Sequence, residues 1–240
     1  MNETPWTASY PPDLRWDSPI PLRALGAILG DAVARYADRP ALQFMGRQLS
    51  YRELGTLVKR AAKGLQRLGV GPGVHVGLYL ANTPHYVIGF FGVLEAGGVV
   101  VNYSPLDAEK VLEHKIADSR TDILITLDFQ ALYPQMDRLL GKTRLKTLVV
   151  GSAGEYSVAP AAVTAQLRAA KQLCDVAWDD RRVPFESLLD NDGDFTPHPV
   201  GDPAQALAVL QYTGGTTGTP KGAMLTHGNL SAANEQYWLT

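Results

Sequence analysis

The chain has 240 residues, which suits one large domain or two small ones and needs neither disulfides nor metal to form a core. Hydrophobic residues make up 45% and charged residues 19%, with 23 Gly and 16 Pro, so a disordered tail and a fibrous repeat are both excluded. Lys and Arg number 22 against 24 Asp and Glu, a net charge of -2 that gives no basic field for nucleic acid, and the single cysteine, Cys174, rules out an intrachain disulfide and fits a reducing, cytoplasmic setting.

Residues 1–21 carry five prolines and no apolar leader-like core, and read as an irregular arm. Leu22, Leu25, Ile28, Leu29, Ala32, Val33 and Tyr36 recur at helical spacing after Pro21, which predicts an amphipathic helix over 22–37. Residues 41–44 and 47–49 flank Met45-Gly46 as a short hairpin. Ser50 and Glu53 form a capping box for a helix that Gly69 stops near Leu68. Gly69-Val70-Gly71-Pro72-Gly73 fails the dinucleotide fingerprint and precedes its strand, so it is a turn.

Strands at 74–81, 99–103, 122–127 and 146–151 then alternate with helices at 84–96, 107–118 and 134–140. That rhythm predicts an α/β fold, a mainly parallel sheet flanked by helices. The apolar stretch from Tyr86 to Tyr103 is broken by Glu95 and Gly97-Gly98, so no transmembrane segment is expected. The rhythm lapses in the variable insertion 152–203, where only a helix at 160–173 is legible. The Asp190–Asp194 loop lacks a closing Glu for a calcium loop and reads as a solvated surface segment. Order returns with an apolar strand at 206–212.

The next segment carries the chemistry: Tyr212-Thr213-Gly214-Gly215-Thr216-Thr217-Gly218-Thr219-Pro220-Lys221-Gly222. Glycines let backbone N–H groups turn toward an anion and let phosphate come close. Threonine hydroxyls add donors, and Lys221 adds a mobile charge for distal phosphates. The segment is expected between a strand and a helix starting near Thr226 or His227, whose dipole could help if it points at the site. It is not a Walker A loop: Pro220 stands where its second glycine belongs, and Gly222 where its hydroxyl residue belongs.

Residues 212–227 closely resemble the phosphate-loop signature of the acyl-adenylating ligases, the superfamily of acyl-CoA synthetases, luciferase-like enzymes and peptide-synthetase adenylation domains. Leu49-Ser50-Tyr51-Arg52-Glu53-Leu54 and the run from Leu94 through Val99-Val100-Val101-Asn102 to Pro105-Leu106 resemble two further motifs of that family. Gly214, where many members have serine, leans toward medium- and long-chain fatty acyl-CoA synthetases.

The resemblance implies ATP, Mg²⁺ and coenzyme A acting on a small carboxylic acid, with Thr213, Gly214, Gly215, Thr216, Thr217, Gly218 and Lys221 around the nucleotide. Lys221 would stabilise phosphate charge, and Thr217 would lie nearest the magnesium carried by ATP. The family's magnesium, ribose and catalytic-lysine motifs lie downstream of Thr240, so the chain reads as the N-terminal part of that fold and is expected to be inactive alone. Residues 22–72 would pair with a missing second subdomain, leaving an apolar face exposed around Phe44, Leu49 and Leu54, while 73–240 form the α/β subdomain. Two alternatives stay open: a non-catalytic nucleotide-binding or interaction module, and an adenylation domain loading another thiol. Peripheral membrane contact also stays open, and no nucleic-acid partner is expected. His75, His85, His114, His198 and His227 lack metal-ligand spacing, with a structural role favoured for His227; Cys174 reads as incidental.

Overall fold

A computed structural model describes residues 5–11, 15, 17–213 and 219–239. The first long helix, α1 (Leu25–Tyr36), opens at Leu25 instead of Leu22. Ser231 Oγ accepts from the Arg23 N–H at 3.0 Å and His227 Nδ1 accepts from the Leu25 N–H at 3.2 Å. These two ties from the far end of the chain hold the segment after Pro21 extended, something local spacing does not reveal.

The hairpin forms as β1 (Pro40–Phe44) and β2 (Arg47–Ser50), an antiparallel pair separate from the main sheet. Met45 and Gly46 turn at φ 43° and 79°, the two positive values that a tight two-residue turn requires. Helix α2 (Tyr51–Arg67) begins with both halves of its capping box: Ser50 Oγ accepts from the Glu53 N–H at 3.2 Å, and Glu53 Oε2 accepts from the Ser50 N–H at 2.8 Å. Leu54, Val58, Ala61 and Leu65 form its buried stripe. The exposed apolar face expected here is absent: Leu49 and Leu54 are only 2% and 3% exposed, and Phe44 is half-buried. The cover comes from within the chain. Helix α1 closes on α2 across Gly55, where a Cβ would meet Val33, and Val158 donates its N–H to the Met45 carbonyl beneath the turn.

The main sheet is built by β3 (His75–Leu78), β4 (Val99–Asn102), β5 (Ile123–Leu127), β6 (Thr147–Gly151), β7 (Arg182–Pro184), β8 (Leu207–Thr213) and β9 (Lys221–Thr226). Its order is β7-β6-β5-β3-β4-β8-β9, and every neighbouring pair is parallel except β8–β9. Helices α3 (Pro84–Glu95), α4 (Glu109–Asp118) and α5 (Tyr133–Lys142) make the crossovers. The path steps from β3 to β4, then doubles back across β3 to β5 and β6. Right-handed crossovers therefore set α3 on one face and α4 and α5 on the other. Helices α1 and α2 pack with α3, which completes the first layer.

The insertion 152–203 is more ordered than its sequence suggests. Its helix, α6 (Pro160–Ala169), stops short of 173 because Lys171 turns into the left-handed region at φ 57°. The segment then adds β7 as the sheet's edge strand and α7 (Phe185–Leu189) as a buried helix. Phe185 is fully buried, and Gly64 of α2 lies so close to the Leu188 backbone that a Cβ there would overlap its carbonyl. His85 is walled in by the same segment: Tyr156 and Phe185 meet its ring edge-on at 4.7 and 5.0 Å, and its Nε2 lies 2.9 Å from Glu155 Oε2. The Asp190–Asp194 loop keeps its three aspartates exposed, with Asp192 paired to Lys63 at 2.6 Å.

Candidate functional site

Strand β8 lies parallel to β4 and ends at Thr213, at the carboxyl edge of the sheet. Strand β9 starts at Lys221 and runs back along β8, with Thr213 opposite Lys221, Tyr212 opposite Gly222 and Gln211 opposite Ala223. The glycine- and threonine-rich segment thus joins two antiparallel strands. This corrects the expectation of a strand-to-helix loop. The last helix, α8 (His227–Leu239), begins only after β9. Six extended residues span roughly 20 Å, so the dipole of α8 starts far from the loop. The physical reason is the register: residues 221–226 find an open edge on β8 before any helix can begin.

Of the predicted site residues, Thr213 and Lys221 are described, both exposed and facing each other as the last pair of the hairpin. Gly214, Gly215, Thr216, Thr217 and Gly218 lie outside the described residues. Among the described residues no acidic side chain pairs with Lys221, so its ammonium is available to an anion.

The structure adds polar groups that the sequence did not single out. Gln211 shares a sheet face with Thr213, and its Oε1 accepts from Asn102 Nδ2 at 2.9 Å. Asn102 Oδ1 in turn accepts from the Tyr86 hydroxyl at 3.1 Å. This row runs from α3 across the ends of β4 and β8 toward the Thr213–Lys221 pair. Asn102 closes the Val-Val-Val-Asn run, and that polar stop at the end of a buried strand was the legible signal. Tyr212 points to the opposite face, where its hydroxyl donates to Asp118 Oδ2 at 2.5 Å.

His227 takes the structural role favoured for it. It is buried at the start of α8 and accepts the Leu25 N–H, joining the two ends of the described chain. Burial holds its imidazole below the ordinary 6.5, so the folded protein keeps it neutral. The folded state then binds fewer protons than the unfolded one below pH 6.5. The stability this contact gives is complete above that value and is lost as pH falls through the lower folded value. His227→Asn keeps an acceptor and removes the titration, so the fall in Tm between pH 7 and pH 5 should become shallower than in the wild type. An unchanged slope would remove His227 from the acid response.

Among the described residues no group of three His, Cys, Asp or Glu side chains could hold a metal ion. Cys174 is half-buried; burial pushes its thiol up, and its Sγ donates to Gln130 Oε1 at 2.8 Å. Nothing marks it as a nucleophile. No helix among the described residues is long and apolar enough to cross a membrane.

A mainly parallel sheet with helices on both faces is the fold of the N-terminal part of the acyl-adenylate-forming ligases. The chain belongs to the AMP-binding enzyme family, whose match runs over residues 29–240. It is 35% identical over 238 residues to a long-chain-fatty-acid–CoA ligase of Bacillus subtilis, covering 98% of this chain and 42% of that protein. A long-chain-fatty-acid–CoA ligase of Escherichia coli O6:H1 is 32% identical over 235 residues, 96% of this chain and 42% of its own. Among solved structures, a long-chain-fatty-acid-CoA ligase from Archaeoglobus fulgidus superposes with a TM-score of 0.71 at 25% identity, over 92% of this chain and 40% of that one. The chain therefore spans about two fifths of the length of the curated relatives it matches.

Proposed function

We propose that the whole protein carrying this chain is an AMP-forming acid–thiol ligase. A carboxylate oxygen attacks the α-phosphorus of ATP; the bond to pyrophosphate breaks and an acyl-adenylate forms. The thiol of coenzyme A then attacks the acyl carbon and AMP leaves. A carboxylic acid is already ionised at neutral pH, so the first step needs no strong base. Its obstacle is the approach of one anion to a polyanion. At an effective dielectric of about 20, a cation some 4 Å from a phosphate contributes about 4 kcal/mol of attraction. The observation that carries the reading is Lys221 opposite Thr213, without an acidic partner among the described residues, at the carboxyl edge of the sheet beside a segment rich in glycine and threonine.

In this reading Thr213 and Lys221 hold the nucleotide phosphates, with Gly214, Gly215, Thr216, Thr217 and Gly218 between them. Magnesium arrives as the ATP complex, and none of the described residues is assigned to it. The fatty acyl substrate is supported by the names of the similar ligases from Bacillus subtilis and Escherichia coli. A cytoplasmic location, with peripheral membrane contact open to it, completes the proposal. The test is ATP–pyrophosphate exchange by the whole protein with short, long, dicarboxylic and aromatic acids. Exchange that needs a long-chain acid supports the reading. Amino acids are included in the panel: exchange with them alone would redirect the reading to an adenylation domain of the peptide-synthetase kind, and none with any acid would leave a binding module.

A further inference from the structure

We propose that helix α4 is the positioning element of the phosphate loop, holding both stems of the β8–β9 hairpin through Asp118 and His114. The inference rests on the reading of residues 212–222 as a phosphate loop. His114 and Asp118 are four residues apart on α4 and so share one helix face. Asp118 Oδ2 accepts from the Tyr212 hydroxyl at 2.5 Å, just before the glycines. His114 Nε2 lies 3.4 Å from the Pro220 carbonyl, just after them. One helix face thus reaches a residue on each side of the loop's glycines.

The stem at Tyr212 is the more firmly held. Its ring lies 5.2 Å from the Lys115 ammonium, and its hydroxyl also approaches the Lys115 carbonyl at 3.4 Å. Lys115 is 4% exposed and is itself fixed by Asp107 Oδ2 at 2.5 Å. Gly222 pairs with Tyr212 across the hairpin, and a Cβ there would crowd the ring at 3.2 Å. Burial, and then the Asp118 carboxylate, push the Tyr212 phenol up, so it stays a proton donor at neutral pH. Holding Tyr212 and Pro220 in advance fixes where the two ends of the glycine-rich segment stand before ATP arrives. Charge-assisted hydrogen bonds such as Tyr212–Asp118 are the strong kind suited to the task.

The experiment measures KM for ATP, KM for the acid and Tm in the whole protein for Tyr212→Phe, Asp118→Ala, Asp118→Asn and the Tyr212→Phe/Asp118→Ala double variant. Tyr212→Phe and Asp118→Ala should each raise KM for ATP about fivefold to tenfold, less than the full worth of one charged hydrogen bond because the contact reaches ATP only through the loop, with KM for the acid unchanged. The double variant should be no worse than either single one, because both remove the same contact. Asp118→Asn, whose amide oxygen still accepts from the phenol, should recover most of the affinity. Lowered Tm with KM for ATP within twofold of wild type in both single variants would make the contact structural only and overturn the proposal. So would strictly additive effects in the double variant. Lys221→Ala, run alongside, separates the two readings. If it leaves KM for ATP and the exchange rate unchanged, the phosphate loop itself is misassigned; if it acts and the Tyr212 and Asp118 variants do not, only the positioning role falls.

Discussion

Lys221→Ala in the whole protein is expected to slow acid-dependent pyrophosphate exchange by on the order of 10²-fold, the usual loss when one donor to developing charge is removed. That factor corresponds to about 2.7 kcal/mol, less than the attraction available to a partly desolvated ammonium beside a phosphate. The side chain is exposed at the first residue of β9 and has no acidic partner among the described residues, so its removal should leave the fold intact. Tm should therefore move by no more than a degree or two while the rate collapses. Lys221→Arg keeps the charge but changes its shape and reach, and should recover only part of the rate. A rate within twofold of wild type for Lys221→Ala would mean that the distal phosphates are neutralised elsewhere.

Phe185→Ala is the counterpart for the fold. Phe185 is fully buried at the start of α7, with the His85 ring 5.0 Å away. Truncating a buried phenylalanine costs about 3–5 kcal/mol, from lost burial plus the cavity left behind. For a domain of this length, that lowers Tm by about 10 °C, as read by calorimetry or circular dichroism. The size of the effect decides whether residues 182–189 belong to the main domain or decorate it. A shift below about 2 °C would show that α7 is not seated against α2.

These two residues also mark where the sequence was legible. The capping box of Ser50 and Glu53, the glycine stop at Gly69 and the alternation from β3 to β6 are local patterns, and each forms where it was read. The parallel sheet followed from that alternation. Strand β7 was not readable, because Arg182-Val183-Pro184 is too short to show a period and ends in proline. Its order comes from pairing with β6, whose edge would otherwise be open. Strand β9 was missed for a related reason: Lys221 to Thr226 follow Thr219-Pro220 and lead straight into helical residues, so the segment passes for part of a loop. The expected exposure of Leu49 and Leu54 failed: both are buried, with α1 packed on α2 and Val158 against the hairpin turn.

The candidate site divides in the same way. Thr213 and Lys221 stand out in the sequence because four glycines and four threonines crowd into the few residues around them. Their environment does not. Asp118 lies 94 positions from Tyr212, and Asn102 lies 109 from Gln211, so only the fold brings them together. Sequence spacing reports what a segment is able to do, and the sheet order reports which distant groups hold it in place.

The proposed ligase breaks ATP between the α- and β-phosphates to activate an acid. The most direct measurement incubates the whole protein with ATP labelled at the α-phosphorus, Mg²⁺ and a long-chain fatty acid, and separates the products before and after coenzyme A is added. The account predicts a labelled acyl-adenylate that persists without coenzyme A and is converted to labelled AMP once the thiol is present, with one pyrophosphate per turnover. Labelled ADP in place of AMP would contradict it, because cleavage would then fall between the β- and γ-phosphates and the hairpin at Thr213 and Lys221 would serve a phosphotransferase.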